Sequence, residues 1–107
     1  METSGNLFAD IPSQLPVELL QVLWQTPHLK LERIVSRGHA TPPGQWYDQN
    51  ADEWVVVLSG AAGLRIDGRD GVVELKAGDY LFLPAGLRHR VEWTAPGQDT
   101  VWLALHG

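Results

Sequence analysis

From Leu29 onward the chain is a succession of short apolar segments of period two, each stopped by Gly, Pro or Asp. Leu29, Leu31, Arg33 and Val35 share one face of the first, with Lys30, Glu32, Ile34 and Ser36 on the other. A Gly- and Pro-rich loop over residues 37–50 separates it from six more segments, 53–59, 61–67, 72–76, 80–83, 88–94 and 100–106. Asp67-Gly68 and Asp70-Gly71 are hairpin turn pairs, because glycine supplies the positive φ that a two-residue turn demands. Short strands that follow one another without helices cannot build a crossover α/β fold. The pattern predicts an all-β, mostly antiparallel sandwich or barrel.

The region before Leu29 reads differently. Residues 1–12 are polar. Ser13 is placed to cap a short helix over residues 16–24, with proline in its first turn and Leu19, Leu20, Leu23 and Trp24 on one side. Thr26-Pro27 ends it. The expected organisation is an N-terminal tail and helix over residues 1–28 and a barrel over residues 29–107, in one domain. A chain of 107 residues buries about two-thirds of its unfolded surface, enough for a single core.

Charge and composition narrow the partners. The net charge is −5, and Arg88-His89-Arg90 is too short to track phosphates, so nucleic acid is not expected. No cysteine is present, which removes disulfides and thiolate chemistry and suits a reducing compartment. Residues 1–10 lack the basic start and apolar core of a signal peptide, and the longest apolar run, 54–58, is far too short to span a bilayer. The expectation is a cytoplasmic protein without membrane contact. No nucleotide-binding glycine motif occurs, and Ser59 lies in no nucleophile elbow.

Two stretches carry chemistry. In the first, Gly78 opens strand 80–83, Pro84-Ala85-Gly86 turns the chain, and His89 follows on the next strand. Proline withholds a donor and glycine accepts positive φ, so the corner is sharply defined and fixes the height of the imidazole. In the second, Glu53 is followed by six residues and Gly60, with Glu53, Val55 and Val57 on one strand face. If that face is interior, the Glu53 carboxylate must be paired, protonated or metal-bound. Arg65, Arg88 or Arg90 would serve as its cation. His89 would serve by hydrogen bonding. Arg88 and Arg90 face away from His89, which suits outward salt bridges such as one to Glu92. Trp54, Trp93 and Trp102 are packing residues, and His28 belongs to a turn.

The spacing Gly78-x5-Pro84-x-Gly86-x2-His89 resembles the second motif of the cupin superfamily, and Glu53-x6-Gly60 resembles the end of its first. The resemblance covers roughly residues 29 to 105. It implies a double-stranded β-helix, or jelly-roll, barrel. It also implies that Glu53 and His89 are ligands of a divalent metal such as Fe, Mn, Zn or Ni. The two histidines that precede the glutamate in the family are absent. A four-residue gap puts Trp46 and Asp48 in their places, and a three-residue gap puts Tyr47 and Gln49 there. Trp93 replaces the family's asparagine.

The expected metal set is therefore Asp48, Glu53 and His89, with His39, Tyr47 or His106 as a possible fourth ligand. Trp46 and Tyr47 are the expected ligand-binding residues at the cavity rim. Three classes follow: a metal-dependent oxygenase, isomerase or lyase; a metal-free module that binds or senses a small molecule; and a structural, dimer-forming domain. A homodimer paired through its sheets is expected in each case.

Overall fold

A computed structural model describes residues 3–107. Eight strands follow one another: β1 Leu19–Gln25, β2 Lys30–Ser36, β3 Glu53–Ser59, β4 Ala61–Ile66, β5 Val73–Lys76, β6 Tyr80–Leu83, β7 His89–Thr94 and β8 Thr100–His106. They form a five-stranded sheet in the order β1-β2-β8-β3-β6 and a three-stranded sheet in the order β5-β4-β7. Every pairing is antiparallel.

The two sheets meet over one apolar core. Val55 and Val57 of β3, Trp102 and Ala104 of β8, and Leu83 of β6 come from the large sheet; Ala62, Leu64 and Ile66 of β4 and Leu75 of β5 come from the small one. Alternation along each strand sends the intervening residues outward, as period-two packing requires. Between β3 and β4 the chain passes from one sheet to the other at Gly60, whose φ is +86° and whose absent Cβ would meet Thr100 Cα at 2.7 Å. Only glycine meets both demands.

The helix expected over residues 16–24 does not form, and no helix occurs among the described residues. Leu19–Gln25 is instead a strand that adds to the edge of the large sheet by pairing with β2. The segment between Pro16 and Pro27 allows fewer than three helical turns, too few to offset the nucleation penalty on its own. Pairing with β2 satisfies the same backbone groups at once. A register shift between Val22 and Trp24 leaves Leu23 as the extra residue, with Val22 opposite Glu32 and Trp24 opposite Leu31. The sheet therefore starts ahead of Leu29, and β1 is part of the barrel wall. The residues ahead of it are strapped down by Arg33, which donates to the Leu7 and Ala9 carbonyls at 3.1 and 2.6 Å, and by Arg37, which donates to Pro12 and Ser13 carbonyls.

Candidate functional site

One row of partners crosses the inner face of the large sheet: Gln25, Lys30, His106, Glu53 and Leu83, each opposite the next on β1, β2, β8, β3 and β6. All five line a cavity of about 610 Å³ between the sheets. The size suits a small molecule. His89 enters the same cavity from the small sheet, at the end of the Pro84-Ala85-Gly86 corner, with Gly86 at φ +81°.

The backbone of Tyr47 pairs with that of His89 through two hydrogen bonds, Tyr47 N–H to the His89 carbonyl at 2.7 Å and the reverse at 3.1 Å. This isolated bridge decides the register of the preceding loop. Tyr47 and Gln49 line the cavity, whereas Trp46 and Asp48 do not. The three-residue gap is thus the one the fold adopts. Tyr47 stacks on the His89 ring with centroids 5.5 Å apart. Trp46 lies under the Arg88 guanidinium, 5.2 Å from its ring centroid. Asp48 is exposed and is not brought together with Glu53 and His89. Arg90 pairs with Glu92 at 3.2 Å and Arg65 with the same carboxylate at 3.5 Å, so the outward ion pairing expected of this strand is present.

Glu53 and His89 are both buried, and His89 Nε2 lies 3.5 Å from Glu53 Oε1. On the other side of the ring, Nδ1 is 3.2 Å from the Leu87 carbonyl. A carbonyl only accepts, so Nδ1 carries a proton and Nε2 is the atom that titrates, facing the carboxylate. Burial alone would lower the imidazole pKa. The Glu53 carboxylate and the Leu87 carbonyl outweigh it, and the pKa stands above its usual 6.5. At 3.5 Å the contact is electrostatic rather than a made hydrogen bond, and Glu53 Oε1 has no protein donor. The phenol of Tyr47 is held above its usual 10.0 by partial burial and then by the Glu18 carboxylate, with Glu53 adding to the effect and a Thr41 hydrogen bond opposing it. It is a neutral donor at physiological pH.

Two further residues of the cavity, His106 and Glu32, meet across β8 and β2. His106 Nε2 lies 2.9 Å from Glu32 Oε1, both largely buried, so His106 is paired inside rather than solvated. The alternation of β2 already put Glu32 on a face with Ile34; only the register with β8 shows that this face is interior. Of the remaining histidines, His28 also lines the cavity and His39 does not. His39 Nδ1 accepts from the Arg37 N–H at 2.9 Å, and the His28 N–H donates to Thr26 Oγ1 in the turn before β2. Among the described residues no group of three or more His, Cys, Asp or Glu converges closely enough to hold a metal ion.

Residues 34–106, more than half of the chain, match the family model described as a cupin domain. The chain belongs to the cupin family. No curated protein matches it. A crystal structure from Ralstonia eutropha JMP134, provisionally described as a mannose-6-phosphate isomerase, is 50% identical, covers 98% of this chain and 97% of its own, and superposes with a TM-score of 0.95. A cupin superfamily protein from Desulfitobacterium hafniense DCB-2 is 20% identical over 90% of this chain and 82% of that one, with a TM-score of 0.73. A Methanocaldococcus jannaschii cupin with a double-stranded β-helix fold is 14% identical over 92% and 86%, with a TM-score of 0.70. The last two show the fold alone. No helix of the structure is long and apolar enough to cross a membrane.

Proposed function

We propose that this cupin binds a small molecule in the barrel cavity and moves a proton on and off it with the Glu53–His89 pair. The observation that carries the reading is the pair itself. Nδ1 of His89 is committed to Leu87, Nε2 faces Glu53 Oε1, and Oε1 is buried without a protein donor. Two such groups hold one proton between them. With the proton on Nε2, the carboxylate is free to accept a proton from a carbon next to a carbonyl. The imidazolium then donates to the carbonyl oxygen where negative charge develops, leaving an enediol when the deprotonated carbon bears a hydroxyl. Glu53 returns its proton to the neighbouring carbon while the now neutral Nε2 takes the proton of the other hydroxyl, which completes an isomerisation and restores both groups. Tyr47 supplies a neutral donor on the same wall. The provisional isomerase description of the 50% identical relative accords with this class of reaction.

The residues that face the cavity do not fit the resident metal that the family's motifs imply. A neutral phenol and a carboxamide, Tyr47 and Gln49, stand at the register positions of the two missing histidines. Glu53 and His89 alone are two ligands for an ion that takes four to six. The chemistry is therefore assigned to the protein's own acid and base.

The test is exchange. Chelator-treated protein is incubated in D2O with a panel of small hydroxy-aldehydes and hydroxy-ketones, and carbon-bound deuterium is followed by NMR. Incorporation that is lost in Glu53→Gln and unaffected by chelator supports the reading. Exchange that appears only on addition of Fe, Mn, Zn or Ni would reject it in favour of a metal enzyme.

A second copy of the chain is the proposed partner of the outer sheet face. Trp24, Leu31, Leu105, Trp54 and Phe82 lie opposite one another across all five strands, and Tyr80 packs against Trp54 with centroids 5.6 Å apart. Phe82 and Tyr80 keep 54% and 66% of their surface exposed, an apolar stripe that water disfavours.

A further inference from the structure

Two buried polar atoms in the cavity wall are left without protein partners, and they are complementary. Glu53 Oε1 is an acceptor without a donor; Trp102 Nε1–H is a donor without an acceptor. Both residues are more than nine-tenths buried, and both line the 610 Å³ cavity, on neighbouring strands β3 and β8. A buried polar group without a partner is destabilising, so an occupant that completes both is favoured. It must accept from the indole and donate to the carboxylate. Trp102 stands opposite Val57, four residues along β3 from Glu53, so the two atoms call for separate groups of one molecule, and hydroxyls, which donate and accept, serve at each.

The rest of the wall continues the pattern. His106 and Glu32 add a second imidazole and carboxylate, 2.9 Å apart, and His106 stands directly opposite Glu53 in the β3–β8 register. Neither residue lies in the family's motifs. Two imidazole–carboxylate pairs, His89 with Glu53 across the two sheets and His106 with Glu32 within the large one, thus offer several donors and acceptors to one occupant.

Charge then limits the occupant. The cavity is lined by three glutamates, Glu18, Glu32 and Glu53, against one lysine, Lys30, and no arginine. If the imidazoles of His89 and His106 take up protons, each is matched by its own glutamate. Lys30 then stands against Glu18, so apart from His28 the lining carries no net positive charge for a phosphate, which carries about −1.5 to −2 at neutral pH and is ordinarily held by Arg, Lys or a helix N-terminus. There is no helix among the described residues.

We propose that the cavity takes an uncharged molecule with neighbouring hydroxyls, of the sugar or sugar-alcohol class, held by Trp102, Glu53 and the His106–Glu32 pair, and that it discriminates against the phosphate ester. This rests on the cavity's being a small-molecule site, and it separates the chain from what the description of its Ralstonia relative would suggest.

The experiment is NMR of the uniformly 15N-labelled protein, following the Trp102 indole N–H and the His89 and His106 ring signals. The probes are aldohexoses, ketohexoses and alditols, each beside its own monophosphate ester. At least one neutral member should shift the Trp102 indole and both rings saturably, and its ester should bind ten times more weakly or worse. Trp102→Phe and His106→Gln should each weaken binding about tenfold, whereas Arg69→Gln, in the exposed β4–β5 turn, should not change it. Wild-type spectra decide the matter even if a variant fails to fold. No shift with any neutral probe, movement of the His89 ring alone, or an ester that binds as tightly as its parent would each overturn the proposal. Saturable binding without deuterium exchange would sustain it while removing the proton-transfer reading.

Discussion

At the scale of single residues, the account turns on the way His89 is held. Its pKa is raised above 6.5, so it binds a proton more tightly in the folded chain than in the unfolded one. The linked stabilisation is complete below the unfolded value and is lost as pH rises through the folded value. The stability difference between wild type and His89→Gln, followed by thermal melts from pH 5 to 9, should therefore be largest at the acid end and shrink upward. A difference that grows with pH would show the opposite shift. Glu53→Gln preserves size and offers an amide N–H toward the ring. It should change folding stability by no more than about 1 kcal/mol, yet slow proton exchange into ligand by about 10²–10⁴-fold. Stopped exchange with a large loss of stability would mean that Glu53 is a structural ion pair. That Glu53, His89 and Tyr47 share one cavity was legible from their spacing. Asp48 lies outside the lining of that cavity, a placement that cannot be counted from sequence, because the loop register is fixed by the Tyr47–His89 bridge, a contact between residues far apart in the chain.

At the scale of elements, the six segments between Glu53 and His106 were read closely, because apolar alternation and Gly, Pro and Asp turns agree at every boundary. The first strand was not. Leu19, Leu20, Leu23 and Trp24 repeat as a helix face would, and nothing local reveals that β2 leaves an edge open beside them. Long-range pairing overrode local preference there. The same dependence hid the pairing of Glu32 with His106, which needs the β2–β8 register. The turn at Gly60 offers a sharp test. Gly60→Ala forces a side chain into positive φ against Thr100, and urea melts should show a loss of about 1–3 kcal/mol or more. Gly68→Ala, with open space around it, should lose only the conformational part. Equal losses would mean that the approach of Thr100 contributes nothing.

At the scale of the whole molecule, one sheet does two jobs with its two faces. Its inner row presents Lys30, His106 and Glu53 to the cavity, and its outer row presents Leu31, Leu105 and Trp54 to the outside. If the outer row seats a second copy, Phe82→Glu should convert a dimer to a monomer in light scattering at micromolar concentration while leaving the cavity's histidine signals in place. A wild type that is monomeric at high micromolar concentration would contradict that pairing. The inner row is the central matter, and the most direct measurement on it is a 15N NMR titration of the His89 ring in chelator-treated protein. The account predicts protonated Nδ1 throughout, Nε2 as the titrating atom, a pKa above 6.5, and a fall in that pKa in Glu53→Gln. A His89 ring that titrates at or below 6.5, or that is indifferent to Glu53→Gln, would contradict it.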